Sequence, residues 1–211
     1  LLAAEGSYDL WQAHMKNKLE LINFVKNRTG TKLDPNVLTI GFARRATAYK
    51  RPDLIFKDPR VITPLLKNKN LQLIFSGKAH PLDDEGKSII TKLVKMSKEY
   101  PGCVVFLENY GMDIGKMLTR GMDIWLNNPR KPLEACGTSG MKAAMNGVLN
   151  LSTLDGWWPE VCQQGINGWQ FGDGFVHENP SIQDSHDLKA LYQILLEVVM
   201  PSYYNNRKRW V

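Results

Sequence analysis

The feature of this 211-residue sequence that most constrains its fold is an alternation of short apolar runs with helical patterns. Runs rich in aliphatic and β-branched residues fall at 37–43, 71–77, 103–107, 123–126 and 148–151. Each is short enough to be one strand and too uniformly apolar to have a wet face, as expected of strands buried on both sides. Between them, helical periodicity predicts helices over 52–66, 83–98, a short one around 114–119, and one opening near Ser139. Two further amphipathic segments lie at the ends, over 10–25 and over 188–200, the second closed by Pro201. Strand, crossover helix and strand in repetition imply a parallel sheet with right-handed crossovers, a Rossmann-like α/β class. The length suits one such domain over 1–211 and no internal repeat or linker divides it.

In an open parallel sheet, ligands sit beyond the carboxyl ends of the strands, so the loops there are where chemistry is sought. After the first strand comes Arg44-Arg45-Ala46-Thr47-Ala48-Tyr49-Lys50-Arg51-Pro52-Asp53, in which Pro52 suits the first turn of a following helix. Four cations close to a helix N-terminus repel one another and the dipole, unless an anion or several carboxylates share the site. The pattern alone fits a phosphate site and a solvated basic loop equally well.

The second informative loop is Pro132-Leu133-Glu134-Ala135-Cys136-Gly137-Thr138-Ser139-Gly140-Met141-Lys142. Its glycines and hydroxyl residues leave backbone N–H groups free for a phosphate, with Thr138 or Ser139 as N-cap. Neither the Walker nor the dinucleotide fingerprint is present. Lys142 is expected in the first helical turn, where the dipole and an apolar surround favour the neutral amine that a Schiff base needs. On spacing alone, a lysine snorkelling off a half-buried helix is the simpler reading. Glu134 is placed to hydrogen-bond sugar hydroxyls or to be a plain exposed acid, and Asp155-Gly156 reads as a turn or as a crevice wall.

Composition narrows the partners. The net charge of +6 reflects C-terminal cations and lysines not interleaved with aromatics, which disfavours nucleic acid and points to small anions. No apolar run is long enough to span a membrane. Three cysteines without close-set pairs and four histidines without ligand spacing indicate neither a disulfide framework nor a metal site. A reducing cytoplasm is the expected setting. A start at Leu1 suggests a piece of a longer polypeptide.

Taken together, the stretch from Glu134 to Lys142, then Asn146-Gly147 and Thr153-Leu154-Asp155-Gly156, resembles the cofactor-lysine signature of the α-glucan phosphorylases. Arg44-Arg45, Tyr49-Lys50-Arg51, Gly77-Lys78-Ala79-His80-Pro81 and Glu108-Asn109-Tyr110 support the resemblance, which extends over nearly the whole chain and looks closest to the short bacterial and archaeal branch. It implies the C-terminal half of a two-domain GT-B architecture whose N-terminal domain is missing here. It implies covalent attachment of pyridoxal 5'-phosphate at Lys142, with Arg44, Gly137, Thr138 and Ser139 on the cofactor's phosphate and Tyr110 against the cofactor. Arg45 and Lys50 match residues that bind substrate phosphate, while Glu134, Ala135, Cys136 and Gly137 match those lining the glucosyl hydroxyls. The implied partners are inorganic phosphate and an α-1,4-glucan or maltodextrin, cleaved with retention to α-glucose 1-phosphate; a homo-oligomer is left open.

Departures are visible. Thr47-Ala48 stands where long animal-type enzymes have His-Glu, Gly111 where they have Arg, Ser139-Gly140 where they have Gly-Asn, and Trp157-Trp158 is also unlike them. Two other readings compete. A nucleotide-sugar glycosyltransferase of the glycogen synthase type shares the Arg45 to Lys50 spacing and Glu134, but has a Glu near Met141-Lys142. A non-catalytic phosphate- or cofactor-binding module fits the fragment by itself.

Overall fold

A computed structural model describes residues 7–206 and 210. Its centre is a six-stranded, wholly parallel sheet in the order β3-β2-β1-β4-β5-β6. The strands are β1 (Thr39–Ala43), β2 (Gln72–Ser76), β3 (Val104–Leu107), β4 (Ile124–Asn127), β5 (Leu149–Thr153) and β6 (Gly168–Phe171). The expected Rossmann-like α/β class is thus present, with five strands where the apolar runs predict them and one that they do not reveal. β6 carries Gly168 and Gln170 in four residues, too short and too mixed to stand out as an apolar run.

Side-chain alternation along the strands feeds two cores. Ile40, Phe42, Leu73, Phe75, Ile124, Leu126, Leu151 and Phe171 face one layer, where Ile62, Leu66, Ile89, Leu93, Leu191, Leu195 and Tyr203 cover them. Those covering residues come from α2 (Pro59–Lys67), α3 (Asp84–Glu99), α7 (Pro180–Ile194) and the turns after it. Ala43, Ile74, Val105, Leu107 and Trp125 face the other layer, under Leu21 and Val25 of α1 (Ser7–Thr29), Ile114 and Leu118 of α4 (Met112–Gly121) and Ala143 of α5 (Thr138–Met145). Each such large side chain contributes about 1.5–3 kcal/mol on full burial.

The helices differ from expectation where proline and capping override periodicity. The segment 52–66 is not one helix: a 3₁₀ turn at Leu54–Phe56 is followed by α2, which starts only at Pro59. Proline disfavours helical backbone in the residue before it, and Asp58 is extended there, its carboxylate accepting from the Arg60 N–H as an N-cap. The cationic loop therefore does not run into a helix at Pro52. At the other end of the chain, Pro201 does not close a helix. α7 begins earlier, at Pro180, passes through a π-helical stretch at Leu195–Val199, and continues as α8 (Met200–Asn205) with the proline in its first turn. The π stretch absorbs the missing proline N–H. α1 and α4 are longer at both ends than predicted. α6 (Trp158–Val161) is a single turn between β5 and β6. The cations Arg207, Lys208 and Arg209 lie outside the described residues.

One buried polar cluster ties four parts of the chain together beneath the sheet. Asp123, 1% exposed just before β4, accepts hydrogen bonds from Lys18 Nζ at 2.6 Å and the Thr39 N–H at 2.8 Å, and pairs with His14 Nε2 at 2.8 Å. Lys18 also reaches the Val37 carbonyl and the Tyr203 hydroxyl. Burial pushes the Asp123 carboxyl up, but the charge of Lys18 and the contacts of His14 outweigh it and hold it below the usual carboxylate range. A carboxyl whose folded pKa is depressed gives stability that is present above its unfolded value of about 4 and lost as pH falls through the lower folded value. The chain should therefore melt cooperatively by circular dichroism at neutral pH, and Asp123→Ala should remove about 3–5 kcal/mol, roughly 10 °C in Tm, by stranding a buried ammonium. The same substitution should flatten the fall in Tm between pH 5 and pH 3. A change below 1 kcal/mol would mean that the cluster does not hold the sheet to α1.

Candidate functional site

The strand order reverses direction at β1, which has β2 on one side and β4 on the other. Loops leaving such neighbouring strands part from each other and open a crevice. Here it is an open cleft of about 840 Å³ at the carboxyl ends of β1, β3 and β4. Its walls carry every residue to which the resemblance assigns cofactor or substrate: Arg44, Arg45 and Lys50 after β1; Tyr110 after β3; Glu134, Ala135, Cys136 and Gly137 after β4; and Thr138, Ser139 and Lys142 on α5. Residues more than 90 positions apart are brought together by the parallel crossovers.

The cations are not equivalent. Arg44 and Lys50 are buried and share one carboxylate, Glu134: the Arg44 guanidinium pairs with its Oε2, and Lys50 Nζ lies 2.8 Å from the same oxygen. Lys50 also sits over the Tyr49 ring, 4.8 Å from its centroid. Arg45 is exposed on the cleft wall. Arg51, expected to be the fourth member, lies elsewhere. It is 1% exposed, and its guanidinium binds Asp184, Asp187 and two backbone carbonyls beneath the loop. Glu134 is held in turn by its own N–H, which donates to Asp155 Oδ2 at 2.9 Å. Asp155 thus braces the loop from behind. Burial, with the charge of Glu134 adding to it, raises the Asp155 carboxyl above its ordinary value, against hydrogen bonds from the N–H groups of Glu134 and Gly156.

The phosphate-sized features lie at the start of α5. Gly137, rather than Thr138 or Ser139, is the N-cap, in the left-handed region at φ 84°, and among the described residues no side chain caps this helix. The turn needs that conformation, which glycine adopts without strain. The N–H groups of Thr138 and Ser139 therefore remain available to an anion, while that of Gly140 turns back to the Gly137 carbonyl at 3.1 Å. Beside them, Arg44 Nη1 is buried with no hydrogen-bond partner among the described residues. A buried guanidinium nitrogen left unpaired is costly and marks a position for an acceptor. Ser139 Oγ is turned toward the sheet and accepts a bond from the Trp125 indole at 3.3 Å.

Lys142 differs from expectation in its surroundings. It belongs to the last turn of the eight-residue α5 and is exposed on the cleft wall, with Ala143 buried beside it and Met145 exposed. The helix dipole thus gives its amine no help. Tyr110 stands half-buried across the cleft, its hydroxyl pushed up by burial, an effect that the nearby Arg44 charge opposes. Gly115, Lys116 and Thr119, none of them singled out by motif, also line the walls, with Asn146 of the signature.

What positions α5 is also not legible as a motif. Asn127 Nδ2 donates to Asn150 Oδ1 at 3.0 Å, and Asn150 Nδ2 donates to the Gly140 carbonyl at 3.1 Å. A Cβ on Gly140 would lie 2.7 Å from Asn150 Oδ1, 2.8 Å from Asn127 Nδ2 and 3.0 Å from the Trp157 indole nitrogen. Gly140 and Trp157 therefore go together: the space a side chain at 140 would need is filled by an indole and two amides. Two of the departures noted in the sequence are one packing solution. The signal that could have shown it is the pair of asparagines inside strands otherwise buried and apolar.

Comparison with known proteins places the chain in a family. The sequence matches the family described as carbohydrate phosphorylase over residues 4–183. It is 46% identical to a glycogen phosphorylase of Aquifex aeolicus over 96% of this chain, and 42% identical to a maltodextrin phosphorylase of Thermococcus litoralis over the same share. An uncharacterised protein of Methanocaldococcus jannaschii is 35% identical over 99% of the chain. The chain spans 32%, 26% and 39% of the lengths of these three relatives. On both the match and the assembled cleft, this chain belongs to the carbohydrate phosphorylase family.

Proposed function

We propose that this chain is the cofactor-binding domain of an α-glucan phosphorylase, a part of a longer cytoplasmic enzyme that cleaves α-1,4-glucan or maltodextrin with inorganic phosphate to give α-glucose 1-phosphate. The observation that carries the reading is the gathering of Arg44, Arg45, Lys50, Tyr110, Glu134 and the α5 N-terminus with Lys142 in one cleft at the point where the strand order reverses. The domain is one half of a GT-B pair, and a second domain closes the crevice over the sugar.

The residues present fit pyridoxal 5'-phosphate. An unpaired buried guanidinium nitrogen, an uncapped helix N-terminus and an exposed lysine on the same wall are what a phosphorylated aldehyde requires. Lys142 is the residue that would hold it covalently, Arg44 with the N–H groups of Thr138 and Ser139 would hold its phosphate, and Tyr110 would lie against it. Bound there, the cofactor supplies a phosphate group as a proton partner for the substrate phosphate.

The chain's own residues do the rest. Arg45 and Lys50 bind inorganic phosphate and, with Arg44, offset the repulsion between two phosphates held close together. Glu134, now neutralising Arg44 and Lys50, gives up part of that role when phosphates arrive and hydrogen-bonds glucosyl hydroxyls beside Ala135, Cys136 and Gly137. The substrate phosphate then protonates the glycosidic oxygen, the C1–O bond breaks, and the same phosphate captures C1 on the same face. A nucleotide-sugar transferase would share Arg45, Lys50 and Glu134, but Lys142 and the family membership argue against it. The chain alone acts as a binding module, because an open half-crevice leaves the phosphates hydrated and half of the sugar contacts unmade.

The full-length protein should release α-glucose 1-phosphate from maltodextrin and phosphate, while residues 1–211 alone should show no significant turnover. Robust turnover by the short chain would show that the site ends within it, and none by the full-length protein would sink the reading. In the full-length protein, Arg45→Ala should raise the KM for phosphate roughly 10- to 100-fold with cofactor retained, the loss of one charge-assisted hydrogen-bonding group. Arg44→Ala should instead loosen the cofactor by a similar factor, read from its absorbance after dialysis. Equal cofactor loss in both variants would remove the distinction between the two arginines.

A further inference from the structure

Beneath the cleft, one carboxylate on α7 gathers three cations, two from the connection after β1 and one from the loop after β4. Asp184, 6% exposed, accepts from Arg51 Nη1 at 3.0 Å, from Arg130 Nη2 at 2.9 Å and from Lys57 Nζ at 2.7 Å. None of these four residues lines the cleft. Yet Arg51 directly follows Lys50, and Arg130 begins the turn that leads to Glu134.

The two loops are stitched at the same place. Arg51 Nε donates to the Asn128 carbonyl at 2.8 Å and Nη2 to the Pro129 carbonyl at 3.0 Å, while Asn128 Nδ2 returns a bond to the Arg51 carbonyl. The Arg130 N–H donates to the Tyr49 carbonyl at 2.7 Å, and the Leu133 N–H closes a turn back to the Arg130 carbonyl. Arg51 itself sits in the left-handed region at φ 48°, unusual for a side chain of its size. Strained backbone of this kind persists only where its surroundings over-determine it. Burial opposes ionisation of Asp184, but the hydrogen bonds from Lys57 and Arg51 outweigh it and keep the carboxyl below its ordinary value.

We propose that Asp184 is a positioning residue for substrate phosphate: through Arg51 and Arg130 it sets the spacing between the loop that carries Lys50 and the loop that carries Glu134. The family match ends at residue 183, so nothing in it assigns this carboxylate a role. The proposal rests on the phosphorylase reading of the cleft. A charged group that must meet a phosphate within a fraction of an ångström loses much of its effect when its supporting loop drifts.

The test uses the full-length, cofactor-loaded protein, with inorganic phosphate and maltodextrin varied separately. Asp184→Asn keeps the shape and removes the charge; it should raise the KM for phosphate about tenfold, leave the KM for maltodextrin at saturating phosphate within twofold, and leave cofactor content unchanged. Arg130→Gln removes one arm and should raise the KM for phosphate by a smaller factor. Lys57→Met, which takes away a half-exposed cation beyond the 3₁₀ turn at Leu54–Phe56 and leaves the bonds between the Lys50 and Glu134 loops in place, should lower Tm without moving either KM. An unchanged KM for phosphate in Asp184→Asn, or in Arg130→Gln if the first variant does not fold, overturns the proposal. So does a parallel loss of cofactor and of both substrates, which a merely structural role would give. Failure of the unsubstituted protein to use phosphate at all would sink the functional reading and this inference together, an outcome distinct from the others.

Discussion

Charge crowding at the end of β1 is the constraint on which the rest of this structure depends. Arg44 and Lys50 leave the strand so close together that both reach one oxygen of Glu134. In a half-buried site, two such cations repel by several kcal/mol unless a carboxylate or another anion intervenes. Glu134 comes from a loop 84 residues downstream of Lys50, so the fold has to deliver it accurately. Much of the structure around the cleft serves that delivery: Asp155 holds the Glu134 N–H from one side, and the Arg51 and Arg130 network holds the loop stem from below. The unliganded arrangement is thus neutralised from within. It is also primed, because one nitrogen of Arg44 remains unpaired in the interior among the described residues.

The layered architecture explains why this constraint can be met. A parallel sheet with β4 beside β1 brings two loops distant in sequence to the same edge of the crevice. The buried Asp123 cluster locks that juxtaposition, since Asp123 stands before β4 and binds the N–H of Thr39 at the start of β1. Stability and site geometry are therefore coupled along one pair of strands, with the polar anchor at the amino ends and the chemistry at the carboxyl ends.

Five strands and the parallel order were legible because uniform apolar runs have few other ways to be buried. The loops that line the cleft were legible because glycine, hydroxyl and cationic residues cluster after those runs, whereas the roles proposed for their residues come from the family resemblance. What escaped had no periodic or compositional signal. β6 has one glycine, one glutamine and two aromatics; Arg51 reads as one more cation of a basic loop, although its partners Asp184 and Asp187 lie more than 130 positions away. The break of the 52–66 segment follows from Pro59 and Asp58, local chemistry outvoted by periodicity. Lys142 was placed one turn too early because Gly137, not a hydroxyl residue, caps α5. With the lysine in the last turn, the helix dipole is not what activates it under the proposed reading.

The central claim is that this cleft is built around a cofactor held at Lys142, and reductive tagging tests it most directly. The chain is incubated with pyridoxal 5'-phosphate, reduced with borohydride and mapped by peptide mass spectrometry, with Lys142→Ala in parallel. The account predicts a single dominant tag on Lys142 that disappears in the variant, with Lys50 and Lys116 on the same cleft left unmodified. A dominant tag on either of those lysines, or labelling that survives Lys142→Ala undiminished, would contradict it.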